Sequence, residues 1–516
     1  MSENDKAPTM ADRVAELRRR QDRAREMGGD EGLRRHRASG RLPVRERVEL
    51  LVDDGSWFEI GALALPEMRS ARHVPGDAAV TGFGTLDGRR IAVVGIDSSV
   101  LAGTTAPTGM RKQGRLIDLA QRKGMPIVLL CDADGGRIPD VMGWRFSHLP
   151  LDFKTFLKRT DGGPTVPRAA AVLGPSYGDS ALHASTADFV VMADFASLAL
   201  VGPSVIEPAT GEKLTDRELG GPDRVLAIGN AHMVVPSEAA AMDAIAAFLS
   251  FLPANSAEPA PVVPPAEPAV PADRIEAIVP LGAKAGYDMR ELIRAIADAD
   301  SIFPWAEHWG PSLLTCFARL GGDPVGIVAN QPIALAGALD AAALTKEHDF
   351  VAMCDTFNLP LIFLHDVPGL MVGAEAERAG TLKAYERLAL RIATAEVPKI
   401  GVVIRKAFGG GHFAMGGRPT HPDFLFAWPT AEMGFMAPDT GIRTVHRRQL
   451  EAALQDGGQA AHDRLLAELQ GEWDAEAEPW EAAAHLALDD VIEPARTRAI
   501  LLEALAIAWG SGPRVR

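Results

Sequence analysis

Three consecutive glycines followed by a histidine, at residues 409–412, are the part of this sequence best suited to chemistry. They follow an apolar run at 400–404, which predicts a buried strand, and a small-residue helix is predicted at 412–417. Because glycine has no Cβ, the N–H groups of Gly410 and Gly411 can converge on one point. A developing oxyanion there would be stabilised by those N–H groups. A close-packed turn without any chemistry is the alternative interpretation.

A second glycine pair, Gly135 and Gly136, follows the strand predicted at 125–132. The carboxyl ends of strands are where α/β sheets usually place ligands, so this pair is a second candidate oxyanion hole. Two such holes suit a reaction in which two carbonyl-type oxygens gain charge, for example acyl transfer between two enolate-forming partners. His412 is positioned by sequence to act as a general base or donor, or else is a neutral histidine packed against aromatic neighbours.

Two adjacent cations, Arg111 and Lys112, occur in the segment 100–116. With the preceding turn at Gly103 and Thr104, they are candidates for contacting the phosphates of a nucleotide. A solvated helix face is the alternative, and the residues by themselves favour it.

The surrounding pattern alternates strands with helices. A hairpin is predicted at 76–97 with a turn at Asp87 and Gly88, followed by a helix at 110–122. A strand at 168–174 and a helix at 179–184 continue the alternation, which predicts a parallel α/β arrangement.

A segment rich in proline and alanine, 253–272, predicts an extended linker between two halves of similar size. The predicted organisation is a basic helical arm at 1–40, an N-terminal domain at 41–252, the linker and a C-terminal domain at 273–516. The arginine-rich arm is interpreted as a solvated or subunit-contacting helix.

The two halves resemble each other along the sequence. The segment GMPIVLLCD matches NLPLIFLHD, which aligns Pro126 with Pro360. The segment VPRAAAVLG matches VPKIGVVIR, which aligns Pro167 with Pro398 at nearly the same spacing. Further matches at nearly this spacing support an internal duplication, so that each half is expected to have the same fold.

Composition limits the class of protein. The chain has 516 residues, 47% of them hydrophobic, and a formal net charge of −15, which argues against a nucleic-acid surface. Its three cysteines are far apart, so they predict neither a zinc site nor a disulfide framework. With a polar start and no long apolar run, the chain is expected to be cytoplasmic, without a membrane span or a metal.

Several segments together resemble the carboxyltransferase (β) subunits of biotin-dependent acyl-CoA carboxylases of the propionyl-CoA and methylcrotonyl-CoA type. They are RLPVRERVELLVDDGSWFE, GDAAVTGFGTLDGR, VGPSVIEPATGEKLTDRELGG, FARLGGDPVGIVANQP, FNLPLIFLHDVPGLMVG, VPKIGVVIRKAFGGG and FLFAWPTAEMGFM. The resemblance extends from about residue 41 to residue 509.

This resemblance implies an α/β fold of two tandem crotonase-like domains built from repeated ββα units. It also implies a homo-oligomer, a hexamer by family resemblance, with the N-terminal half of one chain facing the C-terminal half of another. The acyl-CoA enolate is expected at Gly135 and Gly136, and the biotin urea oxygen at Gly410 and Gly411. The expected substrates are a coenzyme A thioester and carboxybiotin on a partner carrier, and the expected partners are a biotin carboxylase and a biotin carrier.

The sequence departs from the family pattern around both glycine pairs. The first reads DGGRIPDVMG where the family has SGGARIQEG, and the second reads GGGH where the family has GGAY. Ser176–Tyr177–Gly178–Asp179–Ser180 replaces CAGGA. Two alternatives therefore stay open: a biotin-independent enzyme catalysing decarboxylation, hydrolysis or hydration, with His412 as its base, and a non-catalytic subunit that binds CoA esters.

Overall fold

The computed structural model describes residues 8–67, 74–151, 153, 163–282, 285–510 and 515. The chain divides into two compact units, Met1–Glu258 and Pro259–Arg516. The division falls inside the predicted linker, and residues 259–268 form neither helix nor strand. The exact domain boundaries stay a prediction, and the first seven residues of the predicted arm lie outside the described residues.

The first unit is built on one eight-stranded sheet with the order β1-β2-β3-β4-β5-β6-β8, and β7 pairs with β5. The antiparallel hairpin β2–β3 turns at Asp87 and Gly88, both with positive φ, as predicted. From β3 onward the strands run parallel. The strands are β1 Phe58–Ile60, β2 Ala79–Leu86, β3 Arg89–Ile96, β4 Ile127–Asp134, β5 Arg168–Tyr177, β6 Phe189–Ala193, β7 Ser197–Leu198 and β8 Met233–Val235.

Helices surround this sheet. The arginine-rich arm is helical, as predicted, and is followed by a short helix and by the crossover helices of the parallel strands. The helices are α1 Met10–Arg25, α2 Gly29–Ala38, α3 Val44–Leu51, α4 Pro107–Arg122, α5 Ile138–Val141, α6 Asp179–Ser185, α7 Pro203–Thr210, α8 Asp216–Gly220, α9 Pro222–Ala227 and α10 Glu238–Phe251.

The second unit has the equivalent sheet order, β9-β10-β11-β12-β13-β14-β16, and β15 pairs with β13 as β7 does with β5. Its strands are β9 Phe303–Pro304, β10 Leu313–Leu320, β11 Asp323–Asn330, β12 Leu361–Val367, β13 Lys399–Phe408, β14 Phe424–Ala427, β15 Glu432–Gly434 and β16 Asp490–Val491. Its helices are α11 Ile275–Ile278, α12 Met289–Ile296, α13 Ala341–Thr356, α14 Ala374–Arg378, α15 Thr381–Ala393, α16 Gly409–Ala414, α17 Pro438–Val445, α18 Arg447–Ala477, α19 Pro479–Ala484 and α20 Thr497–Trp509.

The internal duplication predicted from the sequence is confirmed, as is the α/β class. The irregularity in the pairing of β4 with β5, between Cys131 and Ala133, recurs between His365 and Val367 in the pairing of β12 with β13. The units β2–β3–α4 and β10–β11–α13 are counterparts. The glycine-rich helix α16 starts at Gly409 instead of at His412, because the three glycines form its first turn, and it ends before Gly416, whose φ is +78°.

A buried lysine occupies the same place in both units. Lys346 on α13 donates to the carbonyl oxygens of Gly310 at 3.0 Å and Leu313 at 2.5 Å. Lys112 on α4, at the duplicated position, donates to the carbonyl oxygen of Ala79, the counterpart of Leu313. Each lysine therefore ties the crossover helix of its unit to the segment that enters the first long strand.

The described residues contain no helix long and apolar enough to cross a membrane. Within the same part of the chain, no group of three or more His, Cys, Asp or Glu side chains is arranged to hold a metal ion.

A buried ion cluster joins three elements of the first unit. Arg47 on α3 is fully buried and donates to Glu238 on α10 at 2.8 Å and to Asp132 on β4 at 2.9 Å. Both carboxylates are themselves buried. The three charged groups can be buried only because they are paired, since transferring one ion alone out of water costs several kcal/mol of free energy.

We predict that Arg47→Met strongly destabilises the protein, by about 3–5 kcal/mol, because two buried carboxylates lose their counter-charge. Chemical denaturation of the full chain measures this change. Arg37→Met is the matched control: that arginine pairs with Glu46 while 55% of its side chain is exposed, and exposed pairs contribute about 0–1 kcal/mol. Similar losses in the two variants would contradict the prediction.

Candidate active site

The first glycine pair lies in the turn that follows β4. Gly135 has a φ of +73°, and a Cβ added to it would meet no atom within 4 Å. Thr105 N–H donates to the carbonyl oxygen of Gly135 at 2.9 Å, and Arg137 N–H donates to that of Thr105 at 2.7 Å. This bridge holds the peptide groups on both sides of Gly136, so that the N–H of Gly136 points away from Thr105. Among the described residues, it meets no acceptor.

The second glycine pair lies in the first turn of α16, directly after β13. N–H groups in a first helical turn have no partner within the helix, so Gly410 and Gly411 present theirs outward. A side chain would collide with its surroundings at Gly411 and would be tight at Gly410. A Cβ on Gly411 would lie 2.9 Å from the Cα of Gly369, and one on Gly410 would lie 3.1 Å from Leu370.

The two pairs do not occupy equivalent places in the duplicated fold. The bridge between Thr105 and Gly136 recurs as a bridge between Leu339 and Leu370, which makes Leu370 the counterpart of Gly136. Strands β5 and β13 match from their first residues onward, which aligns Asp179 with Gly410. Each unit therefore has the same two turns at the end of its sheet, but the glycine pair is in the first turn of one unit and in the second turn of the other.

A cleft opens beside these turns in each unit. The cleft of the first unit has a volume of about 480 Å³ and that of the second about 910 Å³. Equivalent residues line the two clefts, which identifies them as copies of one feature. These pairs are Ala102 and Ala336, Tyr177 and Phe408, and Pro203 and Pro438.

Carboxylates and a phenol line the first cleft. Tyr177 contacts Ser197 at 2.9 Å and donates to Asp216, which connects the end of β5 with the start of α8. Partial burial, together with the negative charge of Asp216, raises the pKa of Asp134, the residue directly before the glycine pair. Asp134 therefore stays protonated to a higher pH than an ordinary surface aspartate does.

A cation lies at the floor of the second cleft. Lys406 is 3.4 Å from a carboxylate oxygen of Asp366 and 3.4 Å from the carbonyl oxygen of Ala336. Asp366 is also bound by Arg405 at 2.8 Å, so two positive charges share one carboxylate. Glu432 on β15 pairs with Lys406 in the sheet. Its pKa is raised by burial and by the negative charge of the neighbouring Asp474. Lys406 and Arg405 thus bring two cations to the strand end just before the glycine turn, and four carboxylates line the same cleft: Glu432, Asp439, Asp474 and Glu478.

His412 packs into the protein behind the second glycine pair. Its ring centre lies 5.5 Å from that of His365 and 5.8 Å from that of Phe413. Burial lowers its pKa to about 4, so the imidazole is neutral at neutral pH. A Cβ on Gly417 would lie 2.7 Å from its Nε2, so the ring rests on the backbone of that residue. This is the packed, neutral arrangement that the sequence offered as one alternative.

The predicted CoA-binding residues fall into two groups. Gly103 and Thr104 lie beside the first glycine pair: a Cβ on Gly103 would be 2.4 Å from the carbonyl oxygen of Asp132, and Arg137 donates to the carbonyl oxygen of Thr104. Arg111 is half exposed and paired with Glu67. Lys112 points inward to Ala79, and burial lowers its pKa to about 8. The structure thus brings Gly103 and Thr104 to the glycine pair and turns the Lys112 ammonium away from solvent.

Sequence reasoning missed the charged residues beneath both glycine turns. Asp132 and Asp366 are both buried at the ends of equivalent strands, and each binds arginine. The matched segments ending in CD and HD already contain both aspartates, so their recurrence in the duplication was an available signal. Arg137 and its partner Asp77 are far apart in the sequence, and no local pattern connects them.

Comparison with known proteins matches the carboxyl transferase domain family to residues 35–513, which covers both units. The chain is 35% identical over 514 residues to the methylmalonyl-CoA carboxyltransferase 12S subunit of Propionibacterium freudenreichii subsp. shermanii, covering 98% of this chain and 96% of that one. It is 34% identical over 502 residues to the propionyl-CoA carboxylase carboxyltransferase subunit of Haloferax mediterranei, covering 95% of each.

Among solved structures, the transcarboxylase 12S hexamer crystallised with methylmalonyl-coenzyme A is similar with a TM-score of 0.89 and 34% identity, covering 97% of this chain and 96% of that one. This similarity confirms the crotonase-like fold expected for both units. Since the family match, the relatives and the solved structure all extend over nearly the whole chain, the protein belongs to the carboxyl transferase family and is a transferase.

Proposed function

We propose that the protein is the carboxyltransferase component of a biotin-dependent acyl-CoA carboxylase, moving a carboxyl group from carboxybiotin to the α-carbon, or vinylogous carbon, of an acyl-CoA. The observation that carries the proposal is the pair of clefts, each lined by the residue that leads directly into a glycine turn (Asp134 and Phe408), within a family match that covers both units. The relatives named for propionyl-CoA and methylmalonyl-CoA make these thioesters the first substrates to test.

The first cleft is assigned to the thioester. When the α-carbon loses its proton, negative charge moves to the thioester oxygen, and the N–H groups of Gly135 and Gly136 stabilise that charge. Fixed donors of this kind cost no reorganisation as the charge develops. Thr105 contributes by holding both adjoining peptide groups in one orientation.

The second cleft is assigned to biotin. Gly410 and Gly411 would hold carboxybiotin presented by a partner carrier, which would supply the carboxyl group and, at the ureido nitrogen freed by its departure, an acceptor for the α-proton. The cleft could hold such a group through the apolar side chains of Phe408 and Leu281 and the cation of Lys406, which lie in a lining that also contains carboxylates. Gly410 and Gly411 are positioned to bind a urea oxygen through their N–H groups, while Lys406 adds positive charge beside a carboxylate.

Assembly and partners follow from the same proposal. The segment after the first glycine pair exposes large apolar side chains, including Ile138, Trp144 and Phe146, each about two-thirds exposed in the single chain. Such a surface is typical of subunit contacts. The related 12S structure is a hexamer, and we infer a homohexamer for this chain, served by a biotin carboxylase and a biotin carrier. We place the protein in the cytoplasm, where its three buried cysteine thiols remain reduced.

The first test replaces a glycine of the second pair. Gly411→Val should reduce turnover by about 10²–10³-fold, the usual loss when one oxyanion donor is removed, because the side chain would collide with Gly369 and displace the turn. Binding of the acyl-CoA should remain near normal. Steady-state kinetics and calorimetry on the same preparation measure the two quantities. Gly471→Val is the matched control, since a Cβ there meets no atom within 4 Å; an equal loss in both variants would refute the assignment.

A second test distinguishes the proposal from a biotin-independent enzyme. His412→Ala should leave most carboxyl transfer intact, because the ring packs against Gly417, burial makes it a weak base with a pKa of about 4, and biotin takes the α-proton in this assignment. A biotin-independent enzyme using His412 as its base would lose nearly all activity. Acyl-CoA turnover without biotin that disappears in His412→Ala would overturn the proposed function.

A third test concerns the CoA phosphates. We propose that Arg111, which is exposed, makes the phosphate contact, with Gly103, Thr104 and Lys112 shaping the site. Arg111→Ala should weaken CoA-ester binding by about tenfold and reduce its salt dependence without changing the melting temperature. Lys112→Met should chiefly lower the melting temperature, because Lys112 is bonded internally. Unchanged affinity in Arg111→Ala would return that residue to a solvated surface role.

A further inference from the structure

We propose that Asp77 and Arg137 are positioning residues for the first oxyanion hole: their buried ion pair holds the N–H of Gly136 in the direction from which it binds the thioester oxygen. The inference rests on the proposed function in one respect, namely that the first cleft receives a CoA thioester. Neither residue contacts the reacting atoms in this assignment, and both act through the peptide groups next to Gly136.

The glycine turn by itself is poorly restrained. Gly135 and Gly136 are adjacent residues without side chains, and their backbone has more conformational freedom than that of any other residue pair. A Cβ on Gly135 would meet nothing within 4 Å, so no packing contact on that side limits its rotation. A fixed N–H direction therefore has to come from hydrogen bonds to the neighbouring peptide groups.

Arg137 supplies that restraint through both its backbone and its side chain. Its N–H donates to the carbonyl oxygen of Thr105, and its Nη2 donates to that of Thr104 at 2.8 Å. Its Nη1 donates to Asp77 at 2.6 Å. Arg137 is thus bonded to two successive peptide groups and a carboxylate, which leaves the preceding residue little room to turn.

Asp77 is in turn held in a demanding conformation. It is 1% exposed and has a φ of +54°, between Gly76 and Ala78, which also have positive φ. Its second carboxylate oxygen accepts from the N–H of Gly109 at 2.7 Å. Non-glycine residues in the left-handed region are strained and persist only where their surroundings impose them, often at functional sites.

The second unit shows that the fold does not need this ion pair. The bridge between Thr105 and Gly136 recurs between Leu339 and Leu370, so the bridge belongs to the fold. At the duplicated positions of the second unit, Asp77 is replaced by Pro311 and Arg137 by Met371. The ion pair is therefore present only in the unit whose turn after this strand carries the glycine pair.

The test compares two CoA thioethers in the full-length protein. Carboxymethyl-CoA carries negative oxygen near the place of an enolate, and carbamoylmethyl-CoA is its neutral amide counterpart. If the ion pair orients the Gly136 N–H, Arg137→Gln should reduce the preference for the carboxylate analogue over the amide analogue by about tenfold. Binding of the amide analogue itself should change less than about threefold. In steady-state kinetics, the variant should lower kcat far more than it raises KM. Arg137→Lys should recover part of the preference.

Asp77→Asn, which keeps the size of the side chain, should lose the preference in the same way and serves if Arg137→Gln fails to fold. Arg122→Gln is the control, since Arg122 is exposed on the same helix α4 as Gly109 and pairs only locally with Asp118. Equal weakening of both analogues, or an unchanged preference, would overturn the inference. A different outcome would overturn only the proposed function. In that outcome, the wild-type protein prefers the carboxylate analogue and Arg137→Gln loses the preference, but the wild-type protein transfers no carboxyl group from carboxybiotin.

Discussion

A buried aspartate at the end of an inner strand is the constraint around which each unit is arranged. Asp132 and Asp366 are at most 1% exposed, and a carboxylate in that position is stable only beside a bound cation. The second unit takes its cation from the adjacent strand, where Arg405 lies. The first unit has Gly174 at that place and takes Arg41 and Arg47 from the segment before the sheet.

This difference explains why the residues before the first sheet belong to the folded unit. A Cβ on Gly174 would lie 2.2 Å from the carboxylate of Asp132 and 2.6 Å from Arg41, so the missing side chain is what admits the imported arginine. Helix α3 is thereby bound to the floor of the first cleft. In the second unit the arginine lies on the strand instead of in the preceding segment. Arg405 donates to the carbonyl oxygens of Gly282 and Ala285 and so binds the loop that precedes the second sheet.

The duplicated framework leaves the chemistry to the turns. Both units break their strand pairing at the same point and carry the same left-handed Leu-Ala-Gly turn, at Leu101–Gly103 and Leu335–Gly337, packed on the carbonyl oxygen of the buried aspartate. They differ in which turn is glycine-rich and in the side chains that line the cleft, with Tyr177 and Arg41 in the first unit and Phe408 and Lys406 in the second. Under the proposed function, two clefts of one origin take two different ligands with backbone amides as donors, an arrangement that needs no catalytic triad.

Much of this protein was determined by the sequence alone. Continuous apolar runs predict the buried strands, the repeated anchors predict two copies of one fold, and consecutive glycines mark both candidate oxyanion turns, because each of these features is local or periodic. Only the tertiary structure decided that Lys112 is internal, that the glycine pairs lie in non-equivalent turns, and that Asp77 meets Arg137. Those facts depend on strand register and on contacts between residues far apart in the chain, and no short stretch of sequence contains the other half of such a contact.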